Sequence, residues 1–543
     1  MRNAEKILRE VLSKRNIVSD EDIAEYLSER PKKTYDPFLM LDMEAGVDLL
    51  LSEADAGTKI CIYGDYDADG VTSICILSSV LSCITKNFTY YIPSRFDEGY
   101  GLNKDAVYRI SQAGAGLIVT VDCGSVSYEE VEYAKQLGMK VIVTDHHNID
   151  DVKADCILIN PHQKECTYPF SELAGCGVAF KMCQAIQKRR KLPKKVLNDV
   201  LDLAAVGTVG DIVSLTDENR TIVKYGLNRI NSRSRRSLAA LASAIKVPWM
   251  TSEGIAFGIA PHINAAGRMA SATEAVKLLQ AGDESTIQTQ VDKLVELNRT
   301  RKQKQEEAYN ECVDMISGDE DIIILHMDDI HEGIGGIAAG KIKENYYRPV
   351  IIVTPSGEGY IKGTGRSIPQ IDIYRLLKRH EGFFERFGGH HSACGFLMKS
   401  DLYDEFKSAL QKDVASMKLQ QPDLLEKELM WDIEIRPEEM TVELAHTLDL
   451  MEPFGEGNPR PVFLMKNIQI DSVRFLGDGT HAGLFVSSAQ GQPGSGADCI
   501  LFRRAQEFSD VLRPGVRVDI TGTVKLKEWR GRESVQFVIE EII

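Results

Sequence analysis

The sequence predicts a doubly wound α/β protein that ends in a small β-barrel, and three observations lead there. From about residue 59, short β-branched runs alternate with amphipathic stretches, the pattern of βαβ units and a parallel sheet covered on both faces. A second unit of the same kind begins at residue 321, and after residue 428 the texture changes to strands separated by Gly, Pro and Asp turns. At 543 residues the chain has room for three or four domains of roughly 100–200 residues each.

The first strands are KICIY (59–63), FTYYI (88–92), LIVTV (117–121), KVIVT (140–144) and CILI (156–159), with helices such as VTSICILSSVLS (71–82) and SYEEVEYAKQLG (127–138) between them. Residues 165–280 read as mostly helical, apart from the Gly-punctuated AAVGTVGDIVSL (204–215). A long helix then starts at Asp283, an N-cap residue type. It carries Ile287, Val291, Leu294 and Asn298 at heptad-like spacing and meets neither Pro nor Gly before Gly318, so it reads as a connecting helix rather than a flexible linker. The second unit runs from DIIIL (321–325) through GIGGIAAGKIKENY (333–346) and VIIVT (350–354) to about residue 416. In the tail, runs such as PVFLMKNIQIDSVRFLG (461–477), VRVDITGTVKL (516–526) and SVQFVIEEI (534–542) suggest a small closed barrel of the OB type or a sandwich. The expected divisions are 1–280 (a first domain with an N-terminal extension), a connecting helix in 281–320, 321–425 and 426–543.

Composition excludes several classes. The 64 Lys and Arg against 80 Asp and Glu leave a net charge of −16, which rules out a uniformly basic coat. No apolar run reaches the ~18–20 residues of a membrane span, and the charged start MRNAEKILREVLSKRN lacks the apolar stretch of a signal peptide, so a cytoplasmic address is expected. The eleven Cys are scattered without a C-x-x-C pair, which argues against a disulfide scaffold or a structural zinc site. They are expected to be buried or half-buried thiols in a reducing compartment.

The carboxylates fall at a chemically telling place. Strand 59–63 runs into GDYDADG, so Asp65, Asp67 and Asp69 stand at its carboxyl end. Strand 117–121 ends in Asp122, and strand 140–144 in Asp145, His146 and His147. Three strands thus deliver acids and imidazoles to the sheet edge where open α/β proteins bind ligands, and Asp211 adds a lone acid among small and apolar residues. Such a cluster repels itself unless cations neutralise it. Oxygen with some nitrogen favours Mn²⁺ or Mg²⁺, and two such ions suit phosphodiester hydrolysis. Taken singly, D-x-D-x-D-G is also a calcium or turn motif, and DHH can cap a helix. Their placement at consecutive strand ends is what favours a catalytic reading.

Basic charge is local. KRRKLPKK (188–195) and RINSRSRR (229–236) are clusters, and residues 501–543 carry 8 basic against 7 acidic residues with Phe502 and Trp529 among them. These segments are expected to line a nucleic-acid channel, with a basic groove and aromatic platforms on the barrel. Trp529 itself reads as a core residue more than as a platform; the alternatives are solvated loops for the clusters and an interaction module for another protein in the tail.

DYDADG (65–70), DCGS (122–125), TDHH (144–147) and GTVGDIV (207–213) resemble the successive motifs of the DHH phosphoesterase superfamily, while GRSIPQIDIY (365–374) and FGGHHSACGF (387–396) resemble its DHH-associated domain. With the β-rich tail, the chain is similar to the superfamily's single-stranded-DNA-specific exonucleases. The resemblance implies two ions, Mn²⁺ or Mg²⁺, held by Asp65, Asp67, Asp122, His146 and Asp211, with Asp122 bridging. It implies support from Asp69, orientation of the histidines by Asp145, and His147 facing the scissile phosphate. In PHINAAGRM (261–269) it implies substrate contacts by Asn264 and Arg268, and in the second domain by Arg366, Ser367 and His390. There are two departures. Cys61 stands where small-molecule relatives place a metal-binding His, and His262 replaces an Arg of the family's P-R-x-N-A-A-G-R stretch.

The expected function is metal-dependent 5′→3′ hydrolysis of single-stranded DNA to mononucleotides in recombination and repair. The expected protein is a monomer with no membrane partner, served by a single-strand-binding protein or a helicase. Two domains enclosing a channel too narrow for a duplex would explain strand selectivity. Hydrolysis of short oligonucleotides or cyclic dinucleotides is the alternative, disfavoured by the tail. A scaffold without activity is disfavoured by the complete set of acids.

Overall fold

The computed structural model describes residues 2–96, 98–149, 152–488 and 496–543. Strands β1 (Ile60–Gly64), β2 (Phe88–Tyr91), β3 (Leu117–Val121), β4 (Lys140–Thr144) and β5 (Ile157–Ile159) form a parallel sheet in the order β2-β1-β3-β4-β5. β1 and β3 are buried along their whole length, because helices cover both faces. Ile60 and Ile62 face the helices Met43–Asp55, Ala68–Leu81 and Gly175–Arg190, whereas Cys61 and Tyr63 face Lys104–Gln112 and Tyr128–Gln136. The strand order reverses between β1 and β3, so a crevice opens beyond their carboxyl ends.

The helix Glu284–Asp314 begins at Asp283, whose side chain accepts a hydrogen bond from the Thr286 amide. At a 1.5 Å rise its 31 residues span about 46 Å. Ile287, Val291 and Leu294 pack into the first domain, and Ala308 and Cys312 into the second. There, β6 (Ile323–His326), β7 (Val350–Pro355), β8 (Tyr360–Arg366), β9 (Phe384–His390) and β10 (Ala393–Lys399) form a mixed sheet ordered β6-β7-β8-β10-β9. The helix Glu332–Tyr346 packs on one face, and Ile373–Lys378 and Tyr403–Gln420 on the other.

In the third unit, the short β11 (Ile433–Glu434) pairs with β12 (Val462–Leu476). β12, β13 (His481–Ser488), β14 (Ala497–Leu501), β15 (Arg517–Trp529) and β16 (Arg532–Ile542) close into a five-stranded barrel through the β12–β15 pairing. The barrel docks on the first domain. Arg220 donates to the carbonyls of Met451 and Glu452, Ser252 Oγ to Glu452 and to the Phe454 carbonyl, and Leu215 N to the Glu456 carbonyl.

Two sequence expectations need correcting. The division at 1–280 puts the first helix, Ala4–Lys14, with the first domain, yet its Ile7, Leu8, Val11 and Leu12 are buried in the barrel's apolar cluster. Each such side chain contributes roughly 1.5–3 kcal/mol, and Arg2 adds an ion pair to the buried Glu439 at 2.8 Å. The basic clusters also serve another purpose. Lys188, Arg189 and Arg190 pair with Asp36, Glu44, Asp48 and Asp55, and Arg229, Arg235 and Arg236 pair with Asp199, Asp202 and Glu284. Carboxylates on neighbouring elements meet these six cations, which brace the first domain.

Phe502 is 52 % exposed on the barrel. The side chain of Trp529 lies outside the described residues. All eleven Cys are free thiols; eight are buried, Cys156 and Cys166 half-buried, and Cys83 exposed.

Candidate metal centre and the cleft around it

The acids converge because each sits where a buried strand ends. Beyond β1, Asp67 caps the helix Ala68–Leu81, its Oδ1 accepting from the amides of Asp69 and Gly70 at 3.0 and 3.1 Å. Asp69 turns the other way, and its two oxygens accept from Gly175 N (2.6 Å) and Cys176 N (2.8 Å). Those amides open a 16-residue helix, whose positive end favours a carboxylate. Beyond β3, Asp122 adopts a left-handed φ of 62°, uncommon for a residue with a Cβ. Gly175 accommodates it, since a Cβ there would stand 2.5 Å from Asp122 Oδ1.

Beyond β4, Asp145 is buried and fully engaged. Its Oδ1 accepts from His146 N and lies 2.7 Å from His147 Nδ1, and its Oδ2 accepts from Ser125 N at 2.9 Å. Asp211 follows the helix Leu201–Gly210. His146 Nε2 lies 3.2 Å from Asp122 Oδ1, 3.5 Å from Asp211 Oδ2 and 3.8 Å from Asp69 Oδ2.

Three overlapping groups of donor atoms result, each within 4.8 Å: Asp65–Asp67–Asp122, Asp69–His146–Asp211 and Asp122–His146–His147. Asp65 Oδ1, Asp122 Oδ1 and His146 Nε2 are buried without a hydrogen-bond partner. Carboxylates this close repel by roughly 4 kcal/mol per pair at an effective dielectric of about 20. Burial, and then neighbouring carboxylates, push Asp65, Asp122 and Asp211 well above the usual carboxylate range. Orphaned oxygens and an orphaned imidazole nitrogen in one buried cluster fit divalent cations. Burial raises the nearby Cys176 thiol, so it stays protonated and leaves an oxygen-and-imidazole donor set suited to Mn²⁺ or Mg²⁺.

The Asp145–His147 pair behaves differently. Burial opposes charge on both, but the hydrogen bond and mutual attraction outweigh it, so Asp145 titrates lower and His147 higher than usual. His147 stands at the cleft mouth, with the Tyr100 hydroxyl 3.1 Å from its Nε2. His146, buried, is pushed down.

Across the cleft, a cavity of about 350 Å³ lies between the two α/β domains, lined by Tyr66, Arg95, Tyr100, Arg268, Lys362 and Arg366 together with Gly333, Gly335 and Gly336. Arg95 lies 4.5 Å over the Tyr66 ring. Arg268 Nη1 donates to Gly333 O at 3.2 Å, tying the first domain to the start of the helix Glu332–Tyr346. Burial, then the charge of Arg95, pushes Arg268 down to about 10. Burial also lowers Arg366. Crowded guanidinium groups at a glycine-rich helix start fit a phosphate.

Of the other residues singled out from the sequence, Asn264 accepts from the Ala68 amide at 2.7 Å and so holds the capped helix. Ser367 is buried with its Oγ unpartnered, and His390 is exposed at the end of β9. None of these three lines the arginine cavity. His262 turns inward, Nδ1 to Gly258 O at 2.6 Å and Nε2 to Asn298 Nδ2 at 3.0 Å. Sequence reasoning missed Arg95, Tyr66 and Tyr100. Arg95 and Tyr100 sit in SRFDEGYG (94–101), a Gly-punctuated loop after β2. Its place at the same sheet edge as the acids is the signal that could have found them.

Fold and site define a protein of the DHH class with its associated second domain. Residues 59–208 match the DHH family N-terminal domain, 319–416 the DHHA1 domain and 431–541 the RecJ OB domain. The chain belongs to the RecJ family. It is 34% identical to the single-stranded-DNA-specific exonuclease RecJ of Bacillus subtilis (strain 168), over 98% of this chain and 67% of that protein. To the Escherichia coli (strain K12) protein of the same name it is 32% identical, over 99% of this chain and 95% of that one. It is also similar to RecJ from Thermus thermophilus in complex with Mn²⁺ (TM-score 0.83, 28% identity, 98% of this chain, 77% of that chain) and with Mg²⁺ (TM-score 0.78, 28% identity, 98% and 76%).

Proposed function

We propose that the protein is a metal-dependent exonuclease that hydrolyses single-stranded DNA from its 5′ end to mononucleotides, acting in the cytoplasm in recombination and DNA repair. One observation carries this: a buried cluster of orphaned carboxylate and imidazole atoms faces a cavity lined by three arginines. One wall requires cations and the other an anion, and a nucleic-acid end held between metal ions satisfies both. The names and bound ions of the relatives support this reading.

In it, Asp65, Asp67 and Asp122 hold one ion, and Asp122, His146 and Asp211 the other, both Mn²⁺ or Mg²⁺. Bound there, the ions supply positive charge to the phosphoryl oxygens and acidify water. The chain's own residues do the rest. Asp69, anchored by two amides, keeps the second ligand group in place. Asp145 accepts from His147 Nδ1, so Nε2 of the protonated ring points to the cleft and donates to the scissile phosphate or the leaving oxygen. Arg95, Arg268 and Arg366 bind the terminal phosphate and fix the distance to the scissile bond. His390 borders the nucleotide at the second domain, the buried Ser367 next to Arg366 in the chain supports that edge from within, and Asn264 steadies the Asp67 turn. A channel between the domains too narrow for a duplex would account for single-strand selectivity.

Domains at 1–280, 321–425 and 426–543 around the 281–320 helix serve this scheme, with the first helix joined to the barrel. No helix among the described residues is long and apolar enough to cross a membrane. A monomer working with a single-strand-binding protein or a helicase completes the reading.

End-labelled single-stranded DNA, blunt duplex, RNA and cyclic dinucleotides, each incubated with Mn²⁺, test it. Mononucleotides released only from the 5′ end of the single strand are expected. Equal attack on duplex, or preference for cyclic dinucleotides, would overturn it.

A further inference from the structure

Arg95 and Tyr100 reach the arginine cavity from the loop between β2 and the helix Lys104–Gln112. Loops sample many conformations, so a phosphate site built on one needs something that fixes it. Here that is a carboxylate behind the cavity. The Glu98 side chain is 10 % exposed. Its Oε1 accepts from the Tyr91 hydroxyl at 2.7 Å and lies 2.8 Å from Arg109 Nη2, and its Oε2 accepts from the Ser94 amide at 2.7 Å. Ser94 O in turn accepts from the amides of Glu98 and Gly99 at 2.9 and 3.1 Å. One side chain thus joins the end of β2, the helix Lys104–Gln112 and the residue immediately before Arg95. Burial, and then the bond to Glu98, push the Tyr91 phenol up to about 12, so it stays protonated and donates throughout the neutral range.

The far end of the loop is held from the sheet. Gly99 and Gly101 adopt left-handed φ values of 78° and 82°, which glycine reaches at little cost. The Tyr63 hydroxyl donates to Gly101 O at 2.8 Å and accepts from Asn103 Nδ2 at 3.3 Å. Tyr63 is fully buried in β1, two residues before Asp65, and its ring stacks on Tyr91 at 5.5 Å. The loop therefore hangs from the strand that delivers the first acid, and the arginine and acidic walls share a rigid base. The charges sort themselves as well. An acid beside a phosphate site weakens it unless a cation engages its charge elsewhere. Glu98 faces Arg109, and neither is among the described residues that line the cavity. Arg95, three residues before Glu98, lies at the cavity over the Tyr66 ring.

We propose that Glu98 is a positioning residue for the terminal phosphate. Through Tyr91, Arg109 and the Ser94 amide it holds the loop in the conformation that aims Arg95 into the cavity, and so sets the preference for a 5′-phosphorylated strand. The inference rests on the reading of the arginine cavity as the terminal-phosphate site. A loop fixed before the strand arrives needs no ordering on binding, so the effect falls on capture of the 5′ end and not on hydrolysis at the acid cluster.

The test is steady-state kinetics in Mn²⁺ on a 5′-phosphorylated decathymidylate and its 5′-hydroxyl counterpart. The unaltered enzyme is expected to show the lower KM on the phosphorylated strand. Glu98→Ala should raise that KM about tenfold, while kcat on both strands and KM on the 5′-hydroxyl strand change by less than about twofold. In an Arg95→Ala background the same substitution should add nothing further, because its effect passes through Arg95. Glu98→Gln, which keeps an acceptor for the Ser94 amide, should recover part of the loss. Arg109→Ala, at an exposed helix position, should act in the same direction by about threefold, and it carries the test if Glu98→Ala does not fold. Equal losses on both strands, losses that multiply with Arg95→Ala, or a preference left intact would overturn the assignment. If the unaltered enzyme treats the two strands alike, the terminal-phosphate reading fails, and the assignment with it.

Discussion

The two walls of the central cleft are built on opposite electrostatic problems. On one, five aspartates and two histidines crowd around the ends of parallel strands, and Asp65 Oδ1, Asp122 Oδ1 and His146 Nε2 lie buried without partners. On the other, Arg95, Arg268 and Arg366 crowd between two domains, and burial and mutual repulsion depress Arg268 and burial depresses Arg366. Each wall is destabilised by its own like charges and satisfied by the opposite one. The difference teaches that the cleft is organised for a ternary arrangement: cations on the first wall, phosphate between, guanidinium groups on the second.

Asp122 belongs to two of the three donor groups, so breaking the acidic wall there has the largest expected effect. Asp122→Ala should lower DNA hydrolysis on the order of 10³-fold and remove Mn²⁺ binding in calorimetry, with the circular dichroism spectrum retained. Turnover within tenfold of the unaltered enzyme would remove Asp122 from its role. Gly175→Ala tests the same wall without touching a ligand. Its Cβ would meet the Asp122 carboxylate, and a loss of roughly 10–100-fold in metal affinity should be read by titration.

The arginine wall should answer differently. Arg268→Ala is expected to cost on the order of 10²-fold in kcat/KM while leaving Mn²⁺ affinity unchanged. A joint fall in metal binding would mean the walls are not separate. Protonation separates them as well. Arg268 titrates at about 10 and binds phosphate only as the cation. Affinity for a 5′-phosphorylated strand over a 5′-hydroxyl one should therefore hold below about pH 9 and fall as pH rises through about 10, read as the ratio of KM values. The smallest effect is expected far from both walls. Arg189→Ala with Arg190→Ala removes ion pairs to Glu44 and Asp55 and should shift stability by no more than about 0.5–1 kcal/mol, with less than a twofold change in DNA affinity. A larger loss of affinity would return that cluster to the DNA path.

The acidic wall was legible because its placement is local. A parallel strand buried on both faces is a continuous apolar run, and the residue after it must emerge at the sheet edge. Asp65, Asp122 and Asp145 could be placed from the strands alone. The basic clusters misled for the converse reason. KRRKLPKK and RINSRSRR are conspicuous in sequence, yet what a charge does depends on what faces it. Here that is Asp36, Glu44, Asp55, Asp202 and Glu284. Arg95, a single arginine in a loop, carries no run to notice.

By itself, then, the sequence determined the element types, the long connecting helix and the acids at the strand ends, since these follow from periodicity and from residues adjacent in the chain. Only the tertiary structure decided that Arg95, Arg268 and Arg366 share one cavity and that Ile7 and Leu12 lie in a core with β12 and β16. Those contacts close loops of hundreds of residues. What selects them is the burial and charge balance of the whole assembly, which no local pattern of side chains encodes.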